Sequence, residues 1–252
     1  MEADIYKQIY EQETKHWWYR GMLALCQSQL KQHVFLQSFD NIGCTILDVG
    51  CGTGYWTKNL LRYGRVFALD NAQEALEICR KRGLRNLIKS SADALPFVDK
   101  SCDLITVFSV IEHLDKDRAL IEEVQRVLKP DGYGIFLTSA YMFLWSKHDE
   151  FARHKRRYTE GLLNKMIGDS GLEIVKISYV NTFLFLPILL VRVMGFKRLT
   201  KRHENTVSPD LFAPPKLLNN LFYLLLRLES WLLKWMRFPF GVNLLVLIRR
   251  KV

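Results

Sequence analysis

The chain has 252 residues, of which 49% are apolar and 25% charged, the composition of a globular protein with one large buried core. Its five cysteines are scattered and form no CxxC pair, which argues against both a disulfide framework and a structural zinc site and indicates a reducing compartment. The net charge of +10 indicates a negatively charged partner, and the location of that charge decides which kind.

The first 41 residues predict an N-terminal helical cap. Apolar residues recur there at helical spacings, and no glycine precedes Gly21. The opening residues are charged and lack the apolar stretch of a secretory signal. Together with the cysteine content, this predicts a cytoplasmic protein that is not exported.

From Thr45 to Ala140, short apolar runs alternate with amphipathic stretches. The strand candidates are TILDV, RVFALD, NLIKSSAD, CDLITVFS and GYGIFLTS. The segments between them, TGYWTKNLLRYG, AQEALEICRKRG and ALIEEVQRVLKPDG, predict helices that stop at glycine or at Pro-Asp-Gly. Strand and helix in alternation indicate βαβ units, and therefore an α/β fold with a doubly wound parallel sheet.

Beyond Tyr141 the pattern changes. GLEIVKISYV (171–180) and VNLLVLIRR (242–250) predict two more strands, separated by about sixty residues that need structure of their own. Two apolar helical segments, 183–196 and 217–236, occupy this gap with a polar linker between them. Neither predicts a membrane span, because the first is short and the second carries several polar and charged residues. We therefore expect helices that lie in the membrane interface.

These boundaries divide the chain into four parts. We predict a helical cap (1–41), a core (42–182), an apolar and basic helical insertion (183–238) and a last core strand (239–252). From Lys197 onward, eleven lysines and arginines stand against three acidic residues. Basic and apolar residues together favour an anionic membrane surface over nucleic acid as the partner.

Residues 46–54, ILDVGCGTG, predict a strand that runs into a glycine-rich turn. Gly50, Gly52 and Gly54 lack a Cβ, so the backbone can bend sharply and approach a ligand, while the next helix offers unpaired N–H groups. Any nucleotide would suit such a turn. Asp48 would repel a pyrophosphate but attract an ammonium and a sulfonium, which favours S-adenosylmethionine over a dinucleotide.

Two further acids follow the next two strands. Asp70 ends the second strand 22 residues after Asp48, which is about the separation at which an acid reaches a bound ribose. Asp93, in SSADALPF, follows the third strand and is suited to bind an adenine amino group. A single acid at a strand end is more often a helix cap or solvated. Three acids after three successive strands indicate a nucleoside site.

The segment from Thr45 to Ser139 resembles the core of class I S-adenosylmethionine-dependent methyltransferases. ILDVGCGTG, ALD, SSADALPF, CDLITVFSVIEHL and LKPDGYGIFLT all occur in family order. The resemblance implies a Rossmann-like seven-stranded sheet whose last two strands form an antiparallel hairpin, with S-adenosyl-L-methionine as cofactor. It places cofactor contacts at Asp48, Gly50, Cys51, Gly52, Gly54, Asp70, Asn71, Ala92, Asp93, Ala94, Phe108 and Ser109.

Methyl transfer requires a base only when the acceptor must lose a proton. His113, just past the fourth strand, is the predicted catalytic base, and plain packing beside the start of a helix is the alternative. Some quinone-biosynthesis O-methyltransferases that are similar to this segment carry a metal-binding ExxEH pattern. This chain has SVIEH, with Ser109 in place of the first acid. We therefore predict no metal site.

Two distinctive segments are candidates for contacting the acceptor. HWWYRG (16–21) places two tryptophans side by side, which cannot share one helix face, and predicts a lid. SKHDEFARHKRRYT (146–159) follows the fifth strand and offers cations that can bind a phosphate or carboxylate. The alternatives are plain packing of the cap and a solvated charged face. The predicted substrate-binding residues are Trp18, Tyr19, Arg20, His148, His154, Arg156, Arg157 and Tyr158.

With the final PFGVNLLVLIRRK, these segments resemble a bacterial and archaeal methyltransferase subgroup of cell-surface glycan and lipid biosynthesis. We expect a cytoplasmic enzyme, peripheral on the inner face of the membrane, that methylates a hydroxyl of a small-molecule or lipid-linked acceptor. The alternatives are a soluble homodimeric small-molecule methyltransferase and a non-catalytic cofactor-binding subunit. Nucleic-acid methylation is disfavoured, because the Asn/Asp-Pro-Pro-aromatic sequence and a Pro-Cys nucleophile are both missing.

Overall fold

The structure is a computed structural model that describes residues 3–35, 43–193 and 214–251. A seven-stranded sheet forms its centre, in the order β3-β2-β1-β4-β5-β7-β6. The strands are β1 Thr45–Val49, β2 Arg65–Asp70, β3 Leu87–Lys89, β4 Cys102–Phe108, β5 Leu128–Ser139, β6 Leu172–Val180 and β7 Asn243–Arg250. The helices are α1 Ala3–Gln12, α2 Trp17–Leu30, α3 Tyr55–Leu60, α4 Gln73–Lys81, α5 Asp117–Val127, α6 Lys147–Ala152, α7 Glu160–Asp169, α8 Phe185–Val193 and α9 Lys216–Leu232.

The predicted sheet is confirmed. Strands β1 to β5 pair in parallel, while β7 lies antiparallel between β5 and β6. The parallel strands carry near-continuous apolar runs because helices cover both faces. In β1, for example, every residue from Ile46 to Val49 is buried. This arrangement brings the carboxyl ends of β1, β2 and β4 to one edge, where ligands bind in folds of this kind.

Each face of the sheet has its own hydrophobic core. On one face, the buried residues come from α5 and α7, such as Leu120 and Leu163. On the other face, they come from α2, α3 and α9, such as Leu25, Leu60 and Leu226. The N-terminal cap and the second apolar helix of the insertion therefore cover the same face of the sheet.

Close packing joins α2 to α9. Gly21 allows the approach, because a Cβ at that position would lie 2.3 Å from Cδ1 of Leu226. Beside this contact, the rings of Trp17 and Phe222 meet edge to face at 5.5 Å. Asn219 is buried, and its side-chain oxygen accepts from the backbone N–H of Trp17 at 2.9 Å. The start of α2 is thus fixed by α9.

A buried acid ties α9 to the turn after β6. The carboxylate of Glu229 is fully buried and accepts from the backbone N–H groups of Asn181 and Thr182. Burial raises the pKa of Glu229 to about 7, although the backbone donors oppose the shift. These hydrogen bonds set the position from which α8 begins.

The predicted apolar segments form helices within the described residues, and none of the helices described there has the length and apolarity to cross a membrane. The first segment is described to Val193 and the second from Lys216. Most of the predicted polar linker, the end of the segment 183–196 and the boundary at residue 41 lie outside the described residues.

We predict that Gly21→Ala lowers the free energy of unfolding by about 1–3 kcal/mol, because the added methyl overpacks the α2–α9 contact. Gly168→Ala is the matched control, since an added Cβ in α7 would meet no atom within 4 Å. It should raise the free energy of unfolding by up to about 1 kcal/mol. Urea unfolding followed by circular dichroism measures both changes, and an unaltered value for Gly21→Ala would contradict the packing.

Candidate functional site

The glycine-rich turn lies at the carboxyl end of β1. Gly50, Gly52 and Gly54 all have positive φ, at 68°, 52° and 76°, a conformation that glycine adopts without steric cost. A side chain at Gly50 would also collide with Val110, at 2.2 Å. At Gly52, by contrast, a Cβ would meet no protein atom within 4 Å. The turn therefore leaves space for a ligand beside Gly52.

Asp70 organises this turn from the end of β2. One carboxylate oxygen accepts from the backbone N–H of Gly52 at 2.9 Å, and the other accepts from that of Ala72 at 2.9 Å. Burial raises the pKa of Asp70, and these backbone donors partly offset the shift. Since the residue also lines the large cavity of the molecule, its remaining lone pairs can accept from ribose hydroxyls.

Asp48 lies behind the turn instead of on the cavity surface. Its carboxylate is buried and accepts from the hydroxyls of Thr57 at 2.5 Å and Thr106 at 2.7 Å. Burial raises its pKa to about 6, against the effect of these two hydrogen bonds. In this structure Asp48 thus joins α3 and β4 to the end of β1. It does not line the cavity in which it is predicted to contact the cofactor.

The other predicted cofactor residues also divide into those that line the cavity and those that do not. Those that line the cavity are Gly50, Cys51, Gly52, Asp70, Asn71, Ala92, Phe108 and Ser109. Gly54, Asp93 and Ala94 are not among the lining residues. One carboxylate oxygen of Asp93 accepts from the hydroxyl of Ser91, and the predicted adenine contact stays a prediction.

The cavity extends from the glycine turn to the predicted acceptor segments, with a volume of about 1050 Å³. That volume exceeds what a single cofactor fills, so there is room for a second molecule. Three groups of residues form its walls beyond the turn. The first comes from α1 and α2, the second from the segment after β5, and the third is an apolar group around α8 that includes Leu184, Pro187, Ile188 and Val191.

The N-terminal helices cover the glycine turn through residues that sequence reasoning missed. Glu13 is buried, and its carboxylate accepts from the hydroxyl of Thr53 and pairs with Arg82. Arg82 in turn donates through Nε to the carbonyl of Thr53 at 2.9 Å. Nothing in the charged N-terminal sequence singled out Glu13, because its two partners are 40 and 69 residues away.

The HWWYRG segment forms the start of α2. Trp18 and Tyr19 line the cavity, and the indole N–H of Trp18 donates to Asn243 at 3.4 Å. Arg20 does not line the cavity, since its guanidinium stacks over the ring of Tyr223 at 4.0 Å. Arg20 thus packs α2 on α9 in this structure, and its contact with the substrate stays a prediction. His16, which was not predicted, lines the cavity and caps α2.

Asp149 is the centre of the predicted acceptor loop. Its buried carboxylate accepts from Nε and Nη2 of Arg157 at 2.8 and 2.9 Å, and from the backbone N–H of Ser146 at 2.8 Å. The same carboxylate lies 2.8 Å from Nδ1 of His154. Burial opposes its ionisation, but hydrogen bonds from His154 and Arg157 hold the pKa of Asp149 well below its usual range.

Three predicted acceptor-binding residues are instead placed to hold this loop. Tyr158 is fully buried and donates to Asp117 at 3.0 Å, and Arg156 pairs with the same carboxylate at 3.0 Å. Neither residue lines the cavity. Arg157 does, but its guanidinium is occupied by Asp149 and by the carbonyl of Ala140 at 3.0 Å. The charges of both arginines and the hydroxyl of the tyrosine have internal partners in this structure, and their contact with an acceptor stays a prediction.

His113, His148 and His154 come together at this end of the cavity. The rings of His113 and His154 meet edge to face at 4.7 Å, and those of His148 and His154 at 5.9 Å. Burial lowers the pKa of His113 to about 3, and the neighbouring His154 adds to the shift. His113 is therefore neutral near pH 7, and it takes up a proton less readily than an exposed histidine does.

Glu112, next to His113, faces the sheet. Its carboxylate is fully buried and accepts from the hydroxyl of Thr138 at 2.8 Å. Burial raises its pKa. Across the described ranges there is no group of three or more His, Cys, Asp or Glu residues arranged to hold a metal ion.

Comparison with known proteins agrees with this geometry. Residues 47–136 match the family described as methyltransferase domain. The chain is 33% identical over 100 residues to the ubiquinone biosynthesis O-methyltransferase of Xanthomonas oryzae, a match that covers 37% of this chain and 42% of that protein. It is 26% identical to the biotin biosynthesis bifunctional protein BioHC of Teredinibacter turnerae, over 74% of this chain and 40% of that protein. The chain thus spans less than half the length of these two relatives.

Among solved structures, a SAM dependent methyltransferase from Archaeoglobus fulgidus superposes with a TM-score of 0.56 at 18% identity, over 90% of this chain and 94% of that one. This likeness shows a shared fold. The positive-φ glycines, the open space at Gly52 and the buried acceptor Asp70 fit the nucleoside that such domains bind. Residues 47–136 therefore match a methyltransferase domain, the chain shares the fold of S-adenosylmethionine-dependent methyltransferases, and S-adenosylmethionine is the cofactor of this site.

Proposed function

We propose that the protein is a methyltransferase that O-methylates an amphiphilic or lipid-linked acceptor at the inner surface of the membrane. The cavity is the observation that carries this proposal. One end holds the cofactor residues, and the other is lined by apolar residues of α8, which include the 59% exposed Val191. An acceptor with a polar head and an apolar tail matches these walls.

The outer face of α9 supports a membrane location. Most of its exposed apolar residues, together with one residue past its end, recur at alternating steps of four and three, which places them along one stripe. They are Leu217, Leu221, Leu224 and Leu228, followed by Trp231 and Trp235. The only acid between residues 214 and 251, Glu229, is buried, whereas Lys216, Arg227, Lys234 and Arg237 are exposed. An apolar stripe with basic neighbours suits an anionic lipid surface.

Two features favour oxygen as the atom that is methylated. The X. oryzae relative is named as an O-methyltransferase. In this chain, histidines gather where the cavity leaves the cofactor residues, and an imidazole can accept the proton of a hydroxyl. The direct test is incubation with methyl-labelled S-adenosylmethionine and a lipid extract of the source cells, followed by mass spectrometry. Label in a lipid-linked methyl ether supports the proposal, and label confined to water-soluble molecules contradicts it.

We predict that Asp70→Ala weakens S-adenosylmethionine binding at least about tenfold, or about 1.4 kcal/mol. The substitution removes the acceptor for the ribose and the partner of the Gly52 N–H. Asp169→Ala is the control, because that carboxylate lies on the surface, 3.5 Å from Arg118, and its loss should leave the affinity unchanged. Titration calorimetry measures both. Equal affinities in Asp70→Ala and wild type would contradict the assigned nucleoside site.

We predict that Leu224→Glu reduces binding to vesicles of anionic phospholipid at least about tenfold, because it removes apolar contact and adds a repelled charge. Leu162→Glu in α7 is the matched control, as Leu162 is also exposed, at 41% compared with 61% for Leu224. It should bind like wild type. Vesicle flotation gives the bound fraction, and a wild-type chain that stays in solution would contradict the membrane location.

A homodimer is the competing explanation of the same stripe, since steps of four and three also suit packing against a second helix. Light scattering without detergent distinguishes the two. A wild-type dimer that Leu224→Glu converts to monomers, with no binding to vesicles, would favour a soluble dimeric enzyme. A chain that binds no S-adenosylmethionine would contradict both forms of the proposal.

We predict that methyl transfer continues in the presence of a chelator. Ser109 stands where the related metal-binding pattern has an acid, and the carboxylate of Glu112 already accepts from Thr138. Labelled transfer measured with and without EDTA checks this. Loss of transfer on chelation, restored by magnesium, would show that a metal is required.

A further inference from the structure

The HDEFARHKRRY segment contains a hydrogen-bonded pair of the type that activates a histidine. Nδ1 of His154 lies 2.8 Å from Oδ1 of Asp149, and the side chain of His154 is only 5% exposed. His154 also lines the cavity. A carboxylate that accepts from Nδ1–H fixes the tautomer, so Nε2 is left as the atom with the lone pair.

Arg157 keeps the carboxylate of this pair in place. Its two hydrogen bonds to Asp149 are parallel, a geometry that fixes the orientation of the carboxylate. The backbone N–H of Ser146 adds a third donor. Because Asp149 is held by these donors, it remains ionised and does not compete with His154 for the proton.

We propose that His154, oriented by Asp149, is the general base that removes the proton from the acceptor hydroxyl. This inference rests on the proposed function, and it assigns the role of base to His154 instead of His113. Asp149 and Arg157 are positioning residues, since they act through His154.

The proposed step balances as follows. S-adenosylmethionine, when bound, supplies the methyl group, and the electrons of the broken carbon–sulfur bond stay with its sulfur. The acceptor oxygen forms the new bond to carbon, and its proton moves to Nε2 of His154. The neutral imidazole thereby becomes an imidazolium, which Asp149 stabilises through Nδ1–H. The imidazolium then returns its proton to water.

The surroundings of the two histidines distinguish them. The ring of His113 is buried against His154, and its hydrogen bond is to the backbone of Arg153. The imidazolium of His154 would have Asp149 at hydrogen-bond distance and the carboxylate of Glu112 nearby. The charged and titratable groups around His154 are Asp149 and Arg157 of its own segment, Glu112 and His113 beside β4, and His148 of α6.

The tautomer of His154 can be measured without any acceptor. The probe is the full chain, labelled with ¹⁵N and saturated with S-adenosylhomocysteine, in two-bond ¹H–¹⁵N spectra. The spectrum of His154→Gln assigns the signals. We expect the neutral ring to carry its proton on Nδ1 in wild type, and Asp149→Asn to shift the proton towards Nε2. A wild-type ring protonated on Nε2 would overturn the proposal.

The rate of methyl transfer to the lipid extract gives the second readout. His154→Gln leaves the Asp149–Arg157 pair intact, so we expect a folded protein with unchanged S-adenosylhomocysteine affinity and a rate reduced roughly 10²–10⁴-fold. His33→Gln, outside the cavity, should match wild type. A loss below tenfold in His154→Gln, or a larger loss in His113→Gln, would overturn the proposal. If wild type transfers no label, the proposed function fails, while the tautomer still tests His154 independently.

Discussion

The approach of α2 to α9 at Gly21 is the contact on which the cavity depends. Residues at the start of α2 form one wall, and Phe222 of α9 contributes to the same lining. The two helices are more than 200 residues apart where Asn219 binds the backbone of Trp17. Because the inner side of α9 is used for this contact, its leucines and tryptophans on the other side have no partner within the described chain. One helix therefore both builds the cavity and presents an apolar outer surface.

Buried acids set the positions of the groups around the cavity. Asp70 holds the glycine turn, Glu13 holds the helices that cover it, and Asp149 holds the loop at the opposite end. Each carboxylate meets backbone N–H groups, hydroxyls or an arginine, so its desolvation is compensated where it lies. Burying such groups costs free energy, but each one gains a fixed geometry. A site that transfers a methyl group in line depends on that kind of geometric control.

The sheet and the glycine turn were predictable because they rest on local patterns. TILDV, RVFALD and CDLITVFS are continuous apolar runs, and three glycines at positions of positive φ leave a clear trace in sequence. Contacts between residues that are far apart in the chain leave no such pattern in the sequence. Arg156 and Tyr158 were predicted to bind the acceptor. Both side chains also contact Asp117, some forty residues away, and the local sequence gives no sign of that contact. For the same reason, the sequence did not indicate the contacts of Glu13 or the position of Asp48 behind the turn.

The position of β7 has a consequence for how the protein folds. In the sheet, β6 pairs only with β7, and β7 separates it from β5. When β6 leaves the ribosome it thus has no strand to join until the chain has grown to residue 250. Val242 and Asn243, which line the cavity, enter with β7. Completing the cavity and this edge of the sheet consequently requires contacts between residues far apart in the chain, and contacts of that kind slow folding.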